Sequence, residues 1–221
     1  MTHPAMIFAA GLGTRMGALT ATRPKPLITV AGQPLLDHAL HIARAASPRI
    51  VVNTHYRADQ IAAHLTGQPI QLSHEPELLE TGGGLRAALP LLNGNPVFTL
   101  NSDAVWRGPN PLTTLATAWR DDMEALLLLL PRAQAIGHTG PGDFTLDAEN
   151  RLTRAPGLVY SGAQIIRTDD LTAIPEAKFS LNRLWDRMAA RGTLYGLPYT
   201  GQWCDVGRPE SLPLAEAMLH A

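Results

Sequence analysis

The junction at residues 5–13 narrows the choice of fold more than any other stretch of this chain. A short apolar run, Ala5 to Ala10, reads as a buried strand, and it passes at once into Gly11-Leu12-Gly13. Glycine lets a backbone swing its N–H groups toward a ligand with no side chain in the way. The loop carries Arg15 and, further on, Lys25. A neutral ligand would not need these cations, so strand, glycine loop, Arg and Lys together describe a cradle for a polyphosphate. Taken alone, the two glycines could simply turn the chain and Lys25 could be a solvated surface lysine; the stretch as a whole argues against that.

Two better-known glycine loops do not fit. A Walker loop needs G-x-x-x-x-G-K-[ST], whereas Met16 stands five residues after Gly11 and no Lys follows Gly17. A dinucleotide fingerprint needs a third glycine where Met16 stands, and an acid at the end of the second strand. That strand closes on Asn53, Thr54 and His55, with no carboxylate, which argues against a nicotinamide enzyme.

Strand and helix signals alternate through the first half. Helices are expected over Pro34–Ala45, Ala58–Leu65, Leu85–Leu92 and Pro111–Arg120. Strands are expected over Ile50–Asn53, Ile70–Ser73, Val97–Leu100 and Glu124–Leu130. Such alternation predicts an α/β fold, a largely parallel sheet with helices on both faces and active groups at the carboxyl ends of the strands. Beyond it, Asp143–Asp147, Arg151–Thr153 and Leu158–Arg167 read as a small antiparallel insertion. A helix over Leu181–Ala190, strands over Thr193–Tyr199 and Trp203–Val206, and a closing helix over Pro209–His220 complete the chain.

A chain of 221 residues can form one large α/β domain, and its 45% hydrophobic and 17% charged residues are ordinary for a folded protein. Lys and Arg number 18 against 19 Asp and Glu, a net charge of -1, so nucleic acid is not an expected partner. The single cysteine, Cys204, excludes a disulfide within the chain and a multi-cysteine zinc site, and it fits a reducing cytoplasm. The apolar start is too short for a signal peptide, and no apolar run reaches the roughly 18 residues of a membrane span, so no membrane association is expected.

The stretch from Ala9 to Pro34 resembles the signature of sugar-1-phosphate nucleotidyltransferases, A-A-G-x-G-[ST]-R-[ML] followed by P-K-P-[LM] and V-x-G-x-P. One departure is Ala18, where the family usually keeps a Pro that stiffens the loop. The resemblance implies a Rossmann-like three-layer sandwich with a mixed, mainly parallel central sheet, the nucleotide-diphospho-sugar transferase fold. It also implies one nucleotidyltransferase domain over 1–221, with a nucleotide-binding half over about 1–130 and a sugar-phosphate-binding half over about 131–205. Ala10, Gly11, Gly13 and Thr14 would then hold the nucleotide, while Arg15 and Lys25 neutralise its phosphates and serve catalysis. A monomer or homodimer is expected.

Two acids are candidate ligands for Mg²⁺. Asp103 lies just past the buried run Val97–Leu100, where the family has L-x-G-D; Ser102 replaces the Gly. A hard divalent ion takes carboxylate and phosphate oxygens together, so an Asp beside a triphosphate is chemically reasonable, though an acid after a strand can also cap a turn. Asp205, in Trp203-Cys204-Asp205-Val206-Gly207, matches the family's W-x-D-[VT]-G; without the resemblance it would read as a turn or helix cap.

Glu80-Thr81-Gly82-Gly83-Gly84 resembles the family's [GE]-T-[AG]-G turn, which holds base and ribose, and a flat base is expected to lie against the glycines. Glu75 stands about where relatives keep a Gln for the base edge. A carboxylate can accept from uracil N3–H or from guanine and would repel the bare N3 of cytosine, which favours uracil or thymine; a solvated surface charge is the competing account. For the sugar phosphate, Gly142 and Asp143 are expected to overhang the cleft, and Ser161-Gly162 matches the family's [ST]-G turn. The family's E-K-P lysine is missing, and Arg154 is the candidate replacement, though it could be a surface residue. Asn182 and Trp203 are candidate wall residues.

E-T-G-G-G, G-x-G-D-F, A-P-G and W-x-D-V-G most resemble the subgroup that uridylylates N-acetylmuramate 1-phosphate in bacterial cell-wall recycling. The implied substrates are UTP and a sugar 1-phosphate, and the products a UDP-sugar and pyrophosphate. A guanylyltransferase for mannose or heptose 1-phosphate and a non-catalytic nucleotide-sugar sensor remain alternatives.

Overall fold

The run Ala125–Leu130 is buried at every position, and its side chains alternate between two separate cores. Leu126, Leu128 and Leu130 enter one; Ala125, Leu127 and Leu129 enter the other. A strand covered on both faces is the mark of a central sheet with helices on either side.

The computed structural model describes residues 3–221. The chain runs β1 (Ala5–Phe8), a short hairpin of β2 (Thr29–Val30) and β3 (Gln33–Pro34), α1 (Leu35–Ala46), β4 (Ile50–Thr54), α2 (Ala58–His64), β5 (Ile70–His74), α3 (Glu80–Leu92), β6 (Val97–Asn101), β7 (Ala104–Arg107), α4 (Pro111–Ala118) and β8 (Ala125–Leu130). It continues through β9 (Ala135–Ile136), β10 (Phe144–Leu146), β11 (Leu152–Arg154), β12 (Val159–Ile166), α5 (Asn182–Arg191), β13 (Leu194–Pro198), β14 (Gln202–Asp205) and α6 (Ser211–His220). Seven strands form the central sheet in the order β13-β8-β12-β6-β1-β4-β5. All pairings are parallel except those of β12 with β6 and β8. Both halves of the chain therefore contribute strands to one sheet.

Helices α1, α2 and α4 cover one face, where Leu36, Ala39, Leu40 and Ala43 form the apolar stripe of α1 at helical spacing. Helices α3 and α5 cover the other through Leu85, Ala88, Leu92, Leu184, Trp185 and Met188. A third, smaller core lies under α6, where Met218 and Ala215 pack on Val206, Cys204, Val105 and Met16. The last two strands of that region, β7 and β14, join β9 in a separate three-stranded sheet.

Three expectations change. The segment Leu158–Arg167 is not part of an antiparallel insertion: β12 lies inside the main sheet, and only β10 and β11 pair outside it. Its polar residues disguise it, but Ser161 and Gln164 are satisfied internally, by the Leu128 carbonyl at 2.7 Å and by Thr99 and Trp185 at 2.9 Å each. Helix α3 starts at Glu80, not near Leu85, and so contains all three glycines. Strand β7 is unforeseen, because Ala104–Arg107 is too short to show a period.

Candidate active site

A cavity of about 520 Å³ opens at the carboxyl ends of β1, β4 and β6. Its floor is the junction that opens the chain. Strand β1 ends at Phe8, and Ala9 to Arg15 then wrap the mouth of the cavity. Gly13 has φ 65, and a Cβ there would stand 2.9 Å from Lys25 Cβ, so conformation and packing both require glycine. Gly11 meets nothing within 4 Å; its face is open to the cavity. Among the described residues, no protein acceptor meets the N–H groups of Gly11, Leu12 or Gly13. Buried Met16 anchors the loop from below, and Thr20 Oγ1 donates to the carbonyls of Gly13 and Gly17 at 3.1 Å each. The result is a fixed ring of free donors, which suits an anion.

Lys25 is 8% exposed, and its Nζ lies 2.8 Å from Asp103 Oδ2. Asp103 stands in the turn between β6 and β7, where Ser102 Oγ donates to the Phe8 carbonyl at 2.6 Å and ties that turn to the end of β1. Strand β14 pairs antiparallel with β7, aligning Asp205 with Ala104, and Val206 N–H donates to the Asp103 carbonyl at 2.8 Å. The two acids, remote in sequence, thus meet at one place. The Asp205 carboxyl is lifted above its ordinary range first by burial and then by Asp103, against the pull of Lys25, Arg15 and His138. Gly207 completes the wall: a Cβ there would lie 3.0 Å from Asp205 Oδ2 and 3.2 Å from Arg15 Nη1.

This donor set suits a hard divalent cation. Asp103 lines the cavity and Asp205 lies beside Gly207 of its wall, and among the described residues no group of three His, Cys, Asp or Glu could hold a metal unaided. A cation here would complete its shell with phosphate oxygens and water, as magnesium does.

The other predicted residues divide. Ala10, Gly11, Gly13, Thr14, Arg15, Lys25, Glu75, Glu80, Thr81 and Asp103 line one cavity. Gly82 and Gly83 do not. Both N–H groups donate to the Phe179 carbonyl, and Cβ atoms on them would run into the Phe179 ring and the Ala177 carbonyl. The surface expected to receive a flat base is filled by the chain itself. Glu75 touches the cavity, but it is no solvated charge: it is 1% exposed and both its oxygens accept from internal donors.

The sugar-phosphate candidates lie outside the cavity. Gly142, at φ 90, packs against Gly157, and Asp143 accepts from Tyr160 N–H at 2.8 Å. Ser161 is 1% exposed and donates to the Leu128 carbonyl of β8; Gly162 abuts Asn101, which does line the cavity. Arg154 binds Asp186 at 2.8 Å and the Asn182 carbonyl at 3.4 Å, so its charge is already matched. Trp203 is 4% exposed and packs edge-on to Trp106, and its buried Nε1 has no partner among the described residues. Sequence reasoning missed Asn53, Leu78, Asn101, Ser180 and Gly207, all cavity residues. Only Gly207 and Asn53 carried a signal, the first in the W-x-D-V-G motif and the second as a polar residue ending a buried strand.

A family model described as the MobA-like NTP transferase domain matches residues 5–140. The protein named N-acetylmuramate alpha-1-phosphate uridylyltransferase in Caulobacter vibrioides is 41% identical over 97% of this chain and 96% of its own length. The protein of the same name in Neisseria meningitidis serogroup B is 33% identical over 98% of each. The crystal structure of UDP-glucose pyrophosphorylase complexed with UDP-glucose superposes with a TM-score of 0.82 at 15% identity, over 100% of this chain and 99% of that one, which is a likeness of fold.

Proposed function

Because the chain belongs to the family of MobA-like NTP transferase domains, we propose that it transfers the uridylyl group of UTP to a sugar 1-phosphate and releases pyrophosphate. N-acetylmuramate 1-phosphate is the preferred acceptor, as the names of the relatives at 41% and 33% identity suggest, which makes the reaction a step in cell-wall recycling. The observation that carries the reading is the convergence of free loop amides, Lys25, Arg15 and Asp103 on one cavity, with Asp205 close enough to feel Asp103, Lys25 and Arg15.

In this reaction a phosphate oxygen of the sugar 1-phosphate attacks the α-phosphorus of UTP. A new P–O bond forms, the bond from the α-phosphorus to its bridging oxygen breaks, and pyrophosphate leaves with that electron pair. The nucleophile is already an anion, so the chain need supply no general base. Its task is to bring anions together and hold them in line. The N–H groups of Gly11, Leu12 and Gly13 take the phosphate oxygens of UTP. Arg15 and Lys25 balance the charge that grows on the departing pyrophosphate. Mg²⁺ held by Asp103 and Asp205 would neutralise phosphate oxygens. Thr81 and Glu80 wall the nucleoside end, with Glu80 placed to accept from ribose hydroxyls. The acceptor enters past Asn101, Ser180 and Gly207. No helix among the described residues is long and apolar enough to cross a membrane, and buried Cys204 suits a reducing compartment such as the cytoplasm.

The test is pyrophosphate release from the purified protein with Mg²⁺, each nucleoside triphosphate and a panel of sugar 1-phosphates that includes N-acetylmuramate and N-acetylglucosamine. Release with UTP and N-acetylmuramate 1-phosphate is expected. Release only with GTP and mannose or heptose 1-phosphate would make it a guanylyltransferase. Tight UTP binding without any release would make it a sensor.

A further inference from the structure

Glu75 is 1% exposed, and among the described residues no Lys, Arg or His side chain meets its carboxyl oxygens; His55 Nδ1 lies 2.8 Å from its backbone carbonyl instead. Burying a carboxyl group is costly unless hydrogen bonds satisfy it. Its oxygens have one each. Oε1 accepts from Asn53 Nδ2 at 2.6 Å, and Oε2 accepts from Leu79 N–H at 2.9 Å. Asn53, itself 3% exposed, accepts at Oδ1 from Ala9 N–H at 2.7 Å. Every link has a fixed direction, because Ala9 and Leu79 can only donate from their amides. A glutamine at 75 offers one acceptor and one donor, and would set N–H against N–H at one of the two links. Helix α3 also makes room for the group: a Cβ on Gly84 would stand 2.5 Å from Glu75 Oε1 and 3.0 Å from Asn53 Nδ2.

The chain of bonds starts at the root of the glycine loop and ends at the entrance of α3, crossing the ends of β1, β4 and the segment after β5. We infer that Glu75 is a positioning residue: acting through Asn53, it fixes Ala9 and so the level at which the glycine loop leaves the sheet to meet the triphosphate. It does not read the base edge. This rests on the nucleotide-binding role proposed above and assigns the part that Glu75 plays in it.

Two variants test it. Glu75→Gln breaks one link. The double variant Asn53→Asp/Glu75→Gln rebuilds the chain: the introduced carboxylate accepts from Ala9 N–H and from the introduced amide NH₂, while the amide oxygen accepts from Leu79 N–H. The net charge is the same as in the parent. Affinity for UTP with Mg²⁺ is measured by calorimetry, alongside steady-state kinetics, the UTP:GTP preference and thermal melting. Glu75→Gln is expected to weaken UTP binding about five- to tenfold, the worth of one buried hydrogen bond, with the KM of the sugar 1-phosphate unchanged. The double variant is expected to regain parent affinity to within about twofold, the error of additivity between such sites. Unchanged UTP affinity in Glu75→Gln overturns the inference, as does a loss of melting temperature alone. A double variant that stays weak, or whose UTP:GTP preference shifts, also overturns it, because the base would then be touching position 75. If Glu75→Gln fails to fold, the folded double variant decides by the same two readouts. A parent protein that binds no nucleotide sinks the proposed function itself, and this inference with it.

Discussion

Glu80 has φ 62, in the left-handed region that disfavours a side chain by about 1–2 kcal/mol, yet it stands exposed on the cavity wall. A glycine there would relieve that strain. It would also cost about 0.5–1 kcal/mol in chain entropy and give up about 0.3–1 kcal/mol of attraction between a carboxylate and the start of α3. These magnitudes nearly cancel, so Glu80→Gly should shift the melting temperature by less than about 3 °C. Its KM for UTP should nevertheless rise several-fold; kinetics that match the parent would show that the carboxylate faces the cavity without touching the nucleotide. Lys25 and Asp103 make a sharper case. Each alanine variant should lower turnover roughly 10²–10³-fold, by analogy with the loss of one charge-stabilising donor, while near-UV circular dichroism stays that of the parent. Near-normal turnover in either would remove that residue from the chemistry. Residue identity was a fair guide to which backbone lines the cavity, as at Gly11 and Gly13. It was a poor guide where a polar side chain could turn either way: Ser161 bonds back into its own sheet, and Arg154 is held by Asp186.

At the scale of elements, α3 is the instructive case. Three glycines in a row normally weaken a helix, and from sequence they look like an open loop. Their role is close approach: the 177–179 segment lies against Gly82 and Gly83, and Glu75 against Gly84. Gly83→Ala should therefore destabilise the fold by about 1–3 kcal/mol, the usual penalty for overpacking, although alanine is the better helix former. A urea titration checks this, and an unchanged or higher midpoint would mean the 177–179 segment yields freely. The strands of the main sheet were legible because continuous or alternating apolar runs carry their own period. Strand β12 reads from sequence as part of a small antiparallel insertion because Ser161, Gly162 and Gln164 break its apolar pattern; their partners, Leu128, Asn101, Thr99 and Trp185, come from other elements.

For the whole molecule, the decisive event is that β14 returns beside β7 and brings Asp205 to Asp103. Burial and Asp103 together raise the Asp205 carboxyl, so its ionised form opposes folding when no cation is bound. In chelator at neutral pH, Asp205→Asn should accordingly melt above the parent protein. Excess Mg²⁺ should stabilise the parent and leave the variant little changed, reversing the order. Equal melting temperatures in both conditions would argue that the two acids do not share a cation. The amino-acid sequence alone determined the sandwich of sheet and helices and the glycine loop at its edge, because hydrophobic period and glycine placement act over a few neighbouring residues. The tertiary structure alone decided which polar groups face the cavity and which are spent inside the fold, Ser161 among the latter, while Glu75 borders the cavity with both carboxyl oxygens already bonded. That choice depends on donors, acceptors and space supplied by residues tens of positions away, and no local pattern records them.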